Sequence, residues 1–257
     1  MVFIGIDIGS TCAKTVVMDE TLQILYQSIQ PTGWSSVDTA EAIRQNLLAQ
    51  GFEMDNSRCV ATGYGRISVP YADKTITEIT CHARGAVWLY QCQDMAVIDI
   101  GGQDTKIILM EAGMVKDFTM NDKCSAGTGR FLEVMANTMA VKPGELCELA
   151  RYGKNVSISS MCTVFAESEV ISLIGRGEKK ENIAFAVVNS IVDKVVSQCS
   201  KLNIAEKNVF LTGGLCECDF LKEVLTQKLH KQVTAQPDSR YAGAIGAAIS
   251  SMKLKRD

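Results

Sequence analysis

The sequence predicts an α/β protein built from two copies of one half, and three observations support this fold class. A segment close to the N-terminus recurs near the middle of the chain, each copy opens a series of strand-like stretches, and helix-like stretches follow each series. Self-similarity at a fixed offset is typical of a duplicated supersecondary unit. We therefore expect two similar α/β subdomains with a cleft between them.

The repeat aligns residues 6–18 with residues 98–110, which is an offset of 92 positions. Six of the thirteen aligned positions are identical, and most of the later pairs exchange one aliphatic residue for another. Each copy carries an aspartate at the end of its first strand, Asp7 or Asp99, and continues into a glycine-containing turn. Both copies therefore predict the same local structure, a strand, a turn and a second strand.

The first half is predicted to contain three strands followed by two helices. Val2 to Ile8 is apolar enough for a buried strand, and residues 22–28 alternate as a half-buried strand does. Residues 36–50 combine Ser and Asp at their start with apolar residues at helical spacing. The predicted strands are 2–8, 14–18 and 22–28, and the predicted helices are 36–50 and 77–90.

The second half is predicted to repeat this order and to add further helices. Its strands are 95–100, 105–110 and 114–119, and its helices are 128–140, 144–151, 164–174 and 182–202. The remaining chain is predicted as strand 208–211, helix 219–229, strand 232–235 and helix 241–252. The small side chains of residues 242–248 would let the last helix press closely against a sheet. We assign residues 1–92 with the C-terminal helix, about 241–257, to the first half and residues 93–240 to the second.

The composition is that of an ordinary soluble globular protein, with 47% hydrophobic and 21% charged residues. A net charge of −3 gives no electrostatic reason to expect nucleic acid or an anionic membrane as a partner. No stretch approaches the ~20 apolar residues of a membrane span. The N-terminus lacks the basic region of a signal peptide, so we expect a cytoplasmic protein.

The chain has ten cysteines, and we expect reduced thiols because the cytoplasm disfavours disulfides. The absence of a C-x-x-C motif argues against a zinc ribbon or a thioredoxin-like pair, so the ligands of any metal centre would come from well-separated positions. Most cysteines, including Cys59, Cys92, Cys147 and Cys199, are interpreted as small core residues. Cys81 and His82 are adjacent on a predicted helix, where side chains point apart, so we interpret them as packing or hydrogen-bonding residues.

The two repeated turns have the chemistry of phosphate binding. Glycine lets the backbone approach a phosphate closely, and the N–H groups of the turn can donate hydrogen bonds to it. An aspartate can hold the Mg²⁺ that neutralises a phosphate, often through water. Gly213 and Gly214 follow a predicted strand and offer a third close approach, suited to the sugar or base of a nucleotide. One such turn is a weak signal, whereas two homologous copies are much more specific.

These turns resemble three motifs of the actin/hexokinase/Hsp70 superfamily. Residues 7–11 resemble its phosphate 1 motif, residues 99–104 its phosphate 2 motif and residues 212–214 its adenosine motif. The resemblance implies an actin-like ATPase fold, in which duplicated ribonuclease H-like halves hold the nucleotide in the cleft between them.

Three longer segments, residues 61–66, 121–131 and 161–169, resemble the ATP-dependent activators (component A) of 2-hydroxyacyl-CoA dehydratases and the related benzoyl-CoA reductase-type ATPases. The resemblance runs nearly end to end. It implies an ATPase that injects a low-potential electron into a two-subunit acyl-CoA dehydratase or a related iron–sulfur enzyme, with reduced ferredoxin or flavodoxin as electron donor. Similar members serve benzoyl-CoA-type enzymes or double-cubane iron–sulfur proteins, so the client stays open.

Members of that family hold one [4Fe–4S] cluster with two cysteines from each subunit of a homodimer, and by motif these are Cys124 and Cys162. Each is expected to lie immediately before a predicted helix, and a helix N-terminus favours a thiolate and an anionic cluster. Two thiolates from each of two chains would make the four that such a cluster takes. The alternative is that both cysteines are buried helix caps, but the long surrounding motifs favour ligation.

The resemblance implies a role in binding or hydrolysing Mg–ATP for each residue of the three turns. Gln103 is predicted to orient the attacking water, by analogy with the glutamine of other nucleotide hydrolases. Asp7, Asp99 and Asp104 are the candidates for Mg²⁺ and water, and Asp7 and Asp104 are grouped with Gln103 as catalytic. The residues predicted to contact the nucleotide are Ser10, Thr11, Cys12, Ala13 and Lys14 at the β- and γ-phosphates, Asp99, Gly101, Gly102 and Gln103 at the second turn, and Gly213 and Gly214 under the adenosine.

Two other function classes fit the same fold. A small-molecule kinase, such as one similar to type III pantothenate kinases, would need a general-base aspartate, for which Asp104 or Asp122 could serve. A kinase gives no reason for Cys124 and Cys162, and brown colour on anaerobic purification would decide against it. A nucleotide-gated scaffold like actin would hydrolyse ATP without redox activity.

Overall fold

The computed structural model of the chain describes residues 1–159 and 162–254. The chain divides into two compact units: the first comprises Met1–Asp94, Met110–Lys116 and Asp238–Asp257, and the second comprises Met95–Leu109 and Asp117–Pro237. The halves assigned from the repeat, 1–92 with 241–257 and 93–240, stay a prediction. Residues 255–257 of that assignment, and Met161 of the 161–169 motif, lie outside the described residues.

The first sheet and its flanking helices follow from the apolar runs of the N-terminal region. The elements are β1 (Val2–Ile8), β2 (Cys12–Met18), β3 (Ile24–Pro31), α1 (Ser36–Ala49), β4 (Ser57–Thr62), β5 (Lys74–Thr75) and α2 (Glu78–Tyr90). The strand order is β3-β2-β1-β4-β5, with β1 antiparallel to β2 and parallel to β4. β1 is central and buried from Phe3 onwards, whereas β3 lies at the edge and alternates between half-buried and exposed residues.

The second sheet repeats this arrangement. Its region contains β6 (Met95–Ile100), β7 (Thr105–Glu111), β8 (Met114–Asn121), α3 (Gly129–Thr138), α4 (Pro143–Ala150), α5 (Thr163–Gly175), α6 (Lys180–Cys199), β9 (Asn208–Gly213), α7 (Asp219–Leu229) and β10 (Val233–Thr234). The strand order is β10-β9-β6-β7-β8, with β9 parallel to β6. β6 therefore occupies the position of β1, and β9 that of β4. The duplication predicted from the repeat is confirmed by the order of the strands.

The C-terminal helix α8 (Ala242–Ser251) packs closely against β1 and α2 in the first unit. Glycine permits these contacts: a Cβ atom at Gly5 of β1 would collide with the carbonyl oxygen of Ala244, and one at Gly85 of α2 would collide with that of Ala242. The predicted close packing of this helix on a sheet is confirmed. None of the helices in the described part of the chain combines the length and the apolar composition that a membrane crossing requires.

Two strands were not predicted, and several predicted elements begin or end one to three residues from their observed bounds. The sequence does not predict β4 or β5, because Ser57–Thr62 mixes polar and apolar residues and becomes a strand through its pairing with β1. The helix predicted over 128–140 begins at Gly129, because Thr128 is its N-cap and has an extended backbone, with φ −124° and ψ 171°.

Candidate nucleotide site and cysteine pair

The turn between β1 and β2 carries the first set of predicted phosphate residues. Asp7 is buried and lies opposite Lys14 in the register of the two strands. The N–H of Gly9 donates to the carbonyl oxygen of Cys12 at 3.1 Å and closes the turn. Thr32, which the sequence did not indicate, fixes the turn from the end of β3, because its hydroxyl donates to the carbonyl oxygen of Gly9 at 2.7 Å.

The predicted phosphate residues of this turn differ in exposure. Thr11 is exposed, and Ser10, Cys12 and Lys14 are half-buried. The side chain of Ala13 is buried in the core, so this residue could offer a ligand only its backbone groups.

Each turn aspartate lies against a glycine at the end of the neighbouring parallel strand. Gly63 follows β4 with φ +84°, and a Cβ atom there would lie 2.5 Å from Oδ1 of Asp7. Gly213 ends β9 with φ +83°, and a Cβ atom there would lie 2.6 Å from Oδ1 of Asp99. Both glycines follow a threonine. The duplication therefore includes a second pair of turns, in which the 61–66 motif is the counterpart of the adenosine turn.

His82 is a site residue that the sequence did not predict. Its Nε2 lies 4.0 Å from Oδ2 of Asp7 and 3.9 Å from Oε1 of Glu78, one helical turn earlier on α2. The imidazole is buried, and a Cβ atom at Gly243 of α8 would lie 2.8 Å from Nε2. The signal in the sequence is the i, i+4 spacing of Glu78 and His82, which places both side chains on one helix face. Cys81 packs in the core as expected.

The turn between β6 and β7 holds two buried aspartates around one buried lysine. Asp99, Asp104 and Lys106 are 1%, 4% and 2% exposed. The Lys106 ammonium lies 2.7 Å from Oδ2 of Asp104 and 3.5 Å from Oδ2 of Asp99. The sequence did not assign Lys106 to the site, although the repeat aligns it with Lys14. Gln103, the predicted water-orienting residue, is exposed, so its amide is accessible to a ligand.

The adenosine turn lies beside the second phosphate turn on the same sheet. Thr212 of β9 is the register partner of Asp99, and its hydroxyl donates to Oδ1 of that aspartate at 3.4 Å. The N–H of Gly214 donates to the carbonyl oxygen of Ile100 at 3.0 Å. The structure therefore brings together three predicted residues, Asp99, Gly213 and Gly214, within the second unit.

The second phosphate turn is also hydrogen-bonded to the start of α3. The first two N–H groups of α3 donate to the carbonyl oxygens of Gly101 and Gly102, at 2.9 and 2.8 Å. These N–H groups have no acceptor within the helix, so the turn acts as the helix cap. The hydroxyl of Thr105 also donates to the carbonyl oxygen of Gly127 at 2.6 Å. The turn is therefore connected to the start of α3 by two hydrogen bonds, and the first residue of β7 is connected to the loop that precedes α3 by a third.

The two predicted cluster cysteines lie in segments that are hydrogen-bonded to each other. Cys124 is half-buried in the loop after β8, and Cys162 is exposed at the N-cap of α5. The hydroxyls of Ser125 and Thr163, each adjacent in sequence to one cysteine, lie 2.7 Å apart. The side-chain amide of Asn121 donates to the carbonyl oxygen of Cys124 at 2.7 Å and fixes the loop.

The prediction that both cysteines immediately precede a helix holds for Cys162 and is wrong for Cys124. The segment after Cys124 forms a turn, in which both the N–H and the hydroxyl of Thr128 donate to the carbonyl oxygen of Ser125, at 3.1 and 2.6 Å. Gly127 has φ +82°, outside the helical region. The electrostatic argument from a helix N-terminus therefore applies to Cys162 alone.

Several other cysteines are poorly suited to bind iron. Burial raises the pKa of the Cys81 and Cys199 thiols to about 12, and it also raises the pKa of Cys59. A raised pKa disfavours the thiolate that binds metal. The prediction that Cys92 is a core residue is wrong, because it follows the end of α2 and is half-buried. Cys124 and Cys162 are accessible, but Cys12 and Cys92 are also half-buried, so it is the motif that distinguishes the two predicted ligands.

The sequence matches the BadF/BadG/BcrA/BcrD ATPase family over residues 4–251. The chain belongs to this family. The (R)-2-hydroxyglutaryl-CoA dehydratase activating ATPase of Acidaminococcus fermentans is 41% identical to it over 253 residues, which are 97% of this chain and 96% of that protein. The activator of lactoyl-CoA dehydratase of Anaerotignum propionicum is 38% identical over 252 residues, which are 97% of this chain and 96% of that protein.

Solved structures of similar proteins have the same fold. The component A of (R)-2-hydroxyglutaryl-CoA dehydratase from Acidaminococcus fermentans has a TM-score of 0.91 and 38% identity, and the match covers 98% of this chain and 100% of that chain. The activator of the 2-hydroxyisocaproyl-CoA dehydratase from Clostridium difficile, with bound ADPNP, has a TM-score of 0.90 and 34% identity, with coverage of 100% and 99%. The predicted actin-like fold and family resemblance are confirmed, while the roles of individual residues stay predictions.

Proposed function

We propose that this BadF/BadG/BcrA/BcrD ATPase is an iron–sulfur activator that uses ATP hydrolysis to inject a low-potential electron into a 2-hydroxyacyl-CoA dehydratase or a similar iron–sulfur enzyme. One observation carries the proposal: a single hydrogen-bonded network in the second unit contains the second phosphate turn, the loop of Cys124 and the start of the Cys162 helix. Relatives that are named as dehydratase activators and are 35–41% identical support the same function.

We assign the nucleotide to the three glycine-containing turns. The ADPNP in a relative of 34% identity supports binding of ATP. Exposed Gln103 would orient the attacking water, and Gly213 and Gly214 would approach the adenosine. The phosphate contacts would come from Ser10, Thr11, Cys12, Lys14 and the backbone of Ala13, together with Gly101 and Gly102.

Mg²⁺ takes oxygen ligands, and the Asp7 carboxylate fits this chemistry. Glycines at positions 63 and 243 accommodate the carboxylate itself, since a Cβ atom at either position would lie 2.5 Å from one of its oxygens. Asp7 would hold the ion directly or through water. The ion would neutralise part of the phosphate charge.

Cys124 and Cys162 fit a [4Fe–4S] cluster, because they are accessible sulfur donors in adjoining segments. The cluster, when bound, supplies storage and transfer of one electron. Two cysteines are half of the four ligands required, so we propose a homodimer in which a second copy supplies the others. The apolar side chains exposed on α5 beside Cys162 fit a surface that the second copy would cover, with Val164 and Phe165 each 66% exposed and Ile171 56% exposed.

The hydrogen bonds between the phosphate turn and α3 would couple the nucleotide to the cysteines. A ligand shifts a conformational equilibrium only if it binds the two states unequally. The carbonyl groups of Gly101 and Gly102 accept from α3, so a turn that changes position between the ATP and ADP states would displace the start of that helix. The loop of Cys124 would follow, because Thr105 and Ser125 connect it to the turn and to α5.

The proposed partners are ferredoxin or flavodoxin as electron donor and a two-subunit acyl-CoA dehydratase as acceptor. The test is anaerobic purification, followed by iron analysis and by reduction of a dehydratase with and without ATP. We expect a brown homodimer that activates the dehydratase only when ATP is hydrolysed. A colourless, iron-free protein with ATPase activity would contradict the redox function and leave an ATPase of another kind.

A further inference from the structure

We propose that Cys147 and Cys218 form a redox-active dithiol that a peroxide converts into an intrachain disulfide. The disulfide would fix the loop that follows the adenosine turn to helix α4. Neither residue is one of the two cysteines assigned to the cluster. The formation of the disulfide is independent of the proposed function, whereas its effect on ATP rests on the proposed nucleotide site.

The two thiols meet because α4 and α7 pack against each other in the second unit. Cys147 lies on α4, and Cys218 is the N-cap of α7. Both are free thiols, and they are hydrogen-bonded to each other. An ion pair joins the same two helices, since Nη1 of Arg151, at the C-cap of α4, donates to both carboxylate oxygens of Glu223 at 2.8 and 3.1 Å. The fold therefore keeps the two sulfur atoms within reach of each other.

The surroundings of the pair make the two thiols unequal. The hydrogen bond from the Cys147 thiol lowers the pKa of Cys218, although burial acts in the opposite direction. The same hydrogen bond, together with burial, raises the pKa of Cys147. A helix N-terminus stabilises a thiolate, and the thiolate is the reactive form of cysteine. Cys218 is therefore the thiol that reacts with the oxidant, and Cys147 is the thiol that resolves the product.

The oxidation takes two steps, which balance with one molecule of hydrogen peroxide. The Cys218 thiolate attacks the O–O bond, which breaks; the sulfur is oxidised to a sulfenic acid, and the other oxygen takes up protons and leaves as water. The sulfur of Cys147 then attacks the sulfur of Cys218, forms the S–S bond and releases the hydroxyl group, which leaves as water with the proton of the Cys147 thiol. The two thiols thus lose two electrons and two protons, and the peroxide becomes two molecules of water.

The pair is nearly buried, which favours a small oxidant. Cys147 is 7% exposed and Cys218 is 6% exposed, so hydrogen peroxide should reach the sulfur atoms more readily than a bulky reagent. The adjoining thiol captures the sulfenic acid before it is oxidised further. Cys199, by contrast, is a buried cysteine whose pKa is raised by burial to about 12, which disfavours its thiolate.

The loop that would move begins at the adenosine turn. The N–H of Cys216 donates to the carbonyl oxygen of Gly213 at 3.4 Å, and the N–H of Cys218 donates to that of Leu215 at 3.1 Å. An S–S bond is about 2.0 Å long, shorter than the contact between two hydrogen-bonded sulfur atoms, so its formation must draw the loop and α4 together. Because the loop is hydrogen-bonded back to Gly213, this movement would change the turn assigned to the adenosine.

Peptide mapping by mass spectrometry tests the disulfide in the full chain. The anaerobically purified protein is titrated with hydrogen peroxide, its remaining thiols are alkylated under denaturing conditions, and it is cleaved with trypsin without reduction. Trypsin places Cys147 in peptide 131–151 and Cys218, together with Cys216, in peptide 208–222. We expect these two peptides to be joined by the main disulfide of the titration, and dithiothreitol should separate them.

Alanine variants decide which sulfur atoms are linked. Cys216→Ala is the matched control and should retain the linkage, because Cys216 is also buried and lies two residues from Cys218. Cys147→Ala and Cys218→Ala should each abolish it. A pair that stays reduced while exposed cysteines are oxidised would overturn the proposal, and so would a linkage that disappears in Cys216→Ala. The wild-type titration gives its answer even if a variant fails to fold.

Nucleotide binding tests the effect on the adenosine turn. The disulfide-linked wild-type protein should bind ATP about fivefold or more weakly than the reduced protein, and dithiothreitol should restore the affinity. Cys147→Ala treated with peroxide in the same way should keep its affinity, which separates the disulfide from damage elsewhere. Equal affinities of the reduced and the linked protein would overturn the coupling to the nucleotide. If the reduced wild-type protein binds no ATP, the proposed function fails, while the peptide map still decides whether the dithiol is redox-active.

Discussion

Replacement of Gly213 by alanine should destabilise the protein, whereas the same replacement at the next residue, Gly214, should not. Gly213 has φ +83°, a conformation that costs alanine about 1–2 kcal/mol. Its new Cβ atom would collide with the carbonyl oxygen of Ile100 and lie 2.6 Å from Oδ1 of Asp99. Overpacking of this kind costs about 1–3 kcal/mol, so the total loss is about 2–5 kcal/mol.

Thermal unfolding measured by calorimetry checks this expectation. A loss of this size should lower Tm by roughly 5–20 °C in a protein of this length. A Cβ atom at Gly214 would meet nothing within 4 Å, so Gly214→Ala is a matched control whose Tm should stay close to that of the wild-type protein. If Gly214 lies under the adenosine, this stable variant should still bind ATP more weakly. Equal Tm values for the two variants would refute the argument from backbone conformation and close contact.

Three further predictions concern the proposed chemistry. Cys124→Ser and Cys162→Ser should each abolish a cluster of about four iron atoms per homodimer, because each variant removes two of the four thiolates. Iron analysis that finds four iron atoms per monomer, or full iron retention in both variants, would exclude a shared cluster. Asp7→Ala and Asp99→Ala should each strongly reduce phosphate release from ATP, and normal turnover with normal nucleotide affinity in either would mean that only one turn binds phosphate. The Gln103→Ala variant should bind ATP but hydrolyse it about 10²-fold more slowly. The EPR signal of its cluster should differ between the ATP-bound and the ADP-bound forms, and identical spectra would show that hydrolysis and electron transfer are not coupled within this protein.

The duplication explains why the two phosphate turns are similar and also why they can differ. Their strands have the same order, and each aspartate lies against a glycine with φ close to +84° or +83°. Such a glycine is required because any side chain would displace the carboxylate. Side chains from different elements lie beside the two aspartates, among them His82 of α2 beside Asp7 and Lys106 of β7 beside Asp99, so these contacts could diverge without disturbing the backbone.

The sequence by itself determined the features that depend on local order along the chain. The repeated apolar runs predicted β1 and β6 with their correct ends, because a buried strand needs a continuous apolar stretch and the polar turn residues stop it. The glycine-containing turns and the long motifs around Cys124 and Cys162 predicted the fold and the family, which the comparisons confirmed.

Only the tertiary structure decided which distant residues meet. β4 becomes a strand by pairing with β1, and its short, mixed sequence does not signal this. Lys106 looked like a polar strand residue, yet it is buried because Asp99 and Asp104 compensate its charge. The contact between Ser125 and Thr163 joins segments 38 residues apart. Contacts of this kind depend on how strands and helices pack against one another. The order of residues along the chain therefore does not reveal which residue will pair with a buried polar group.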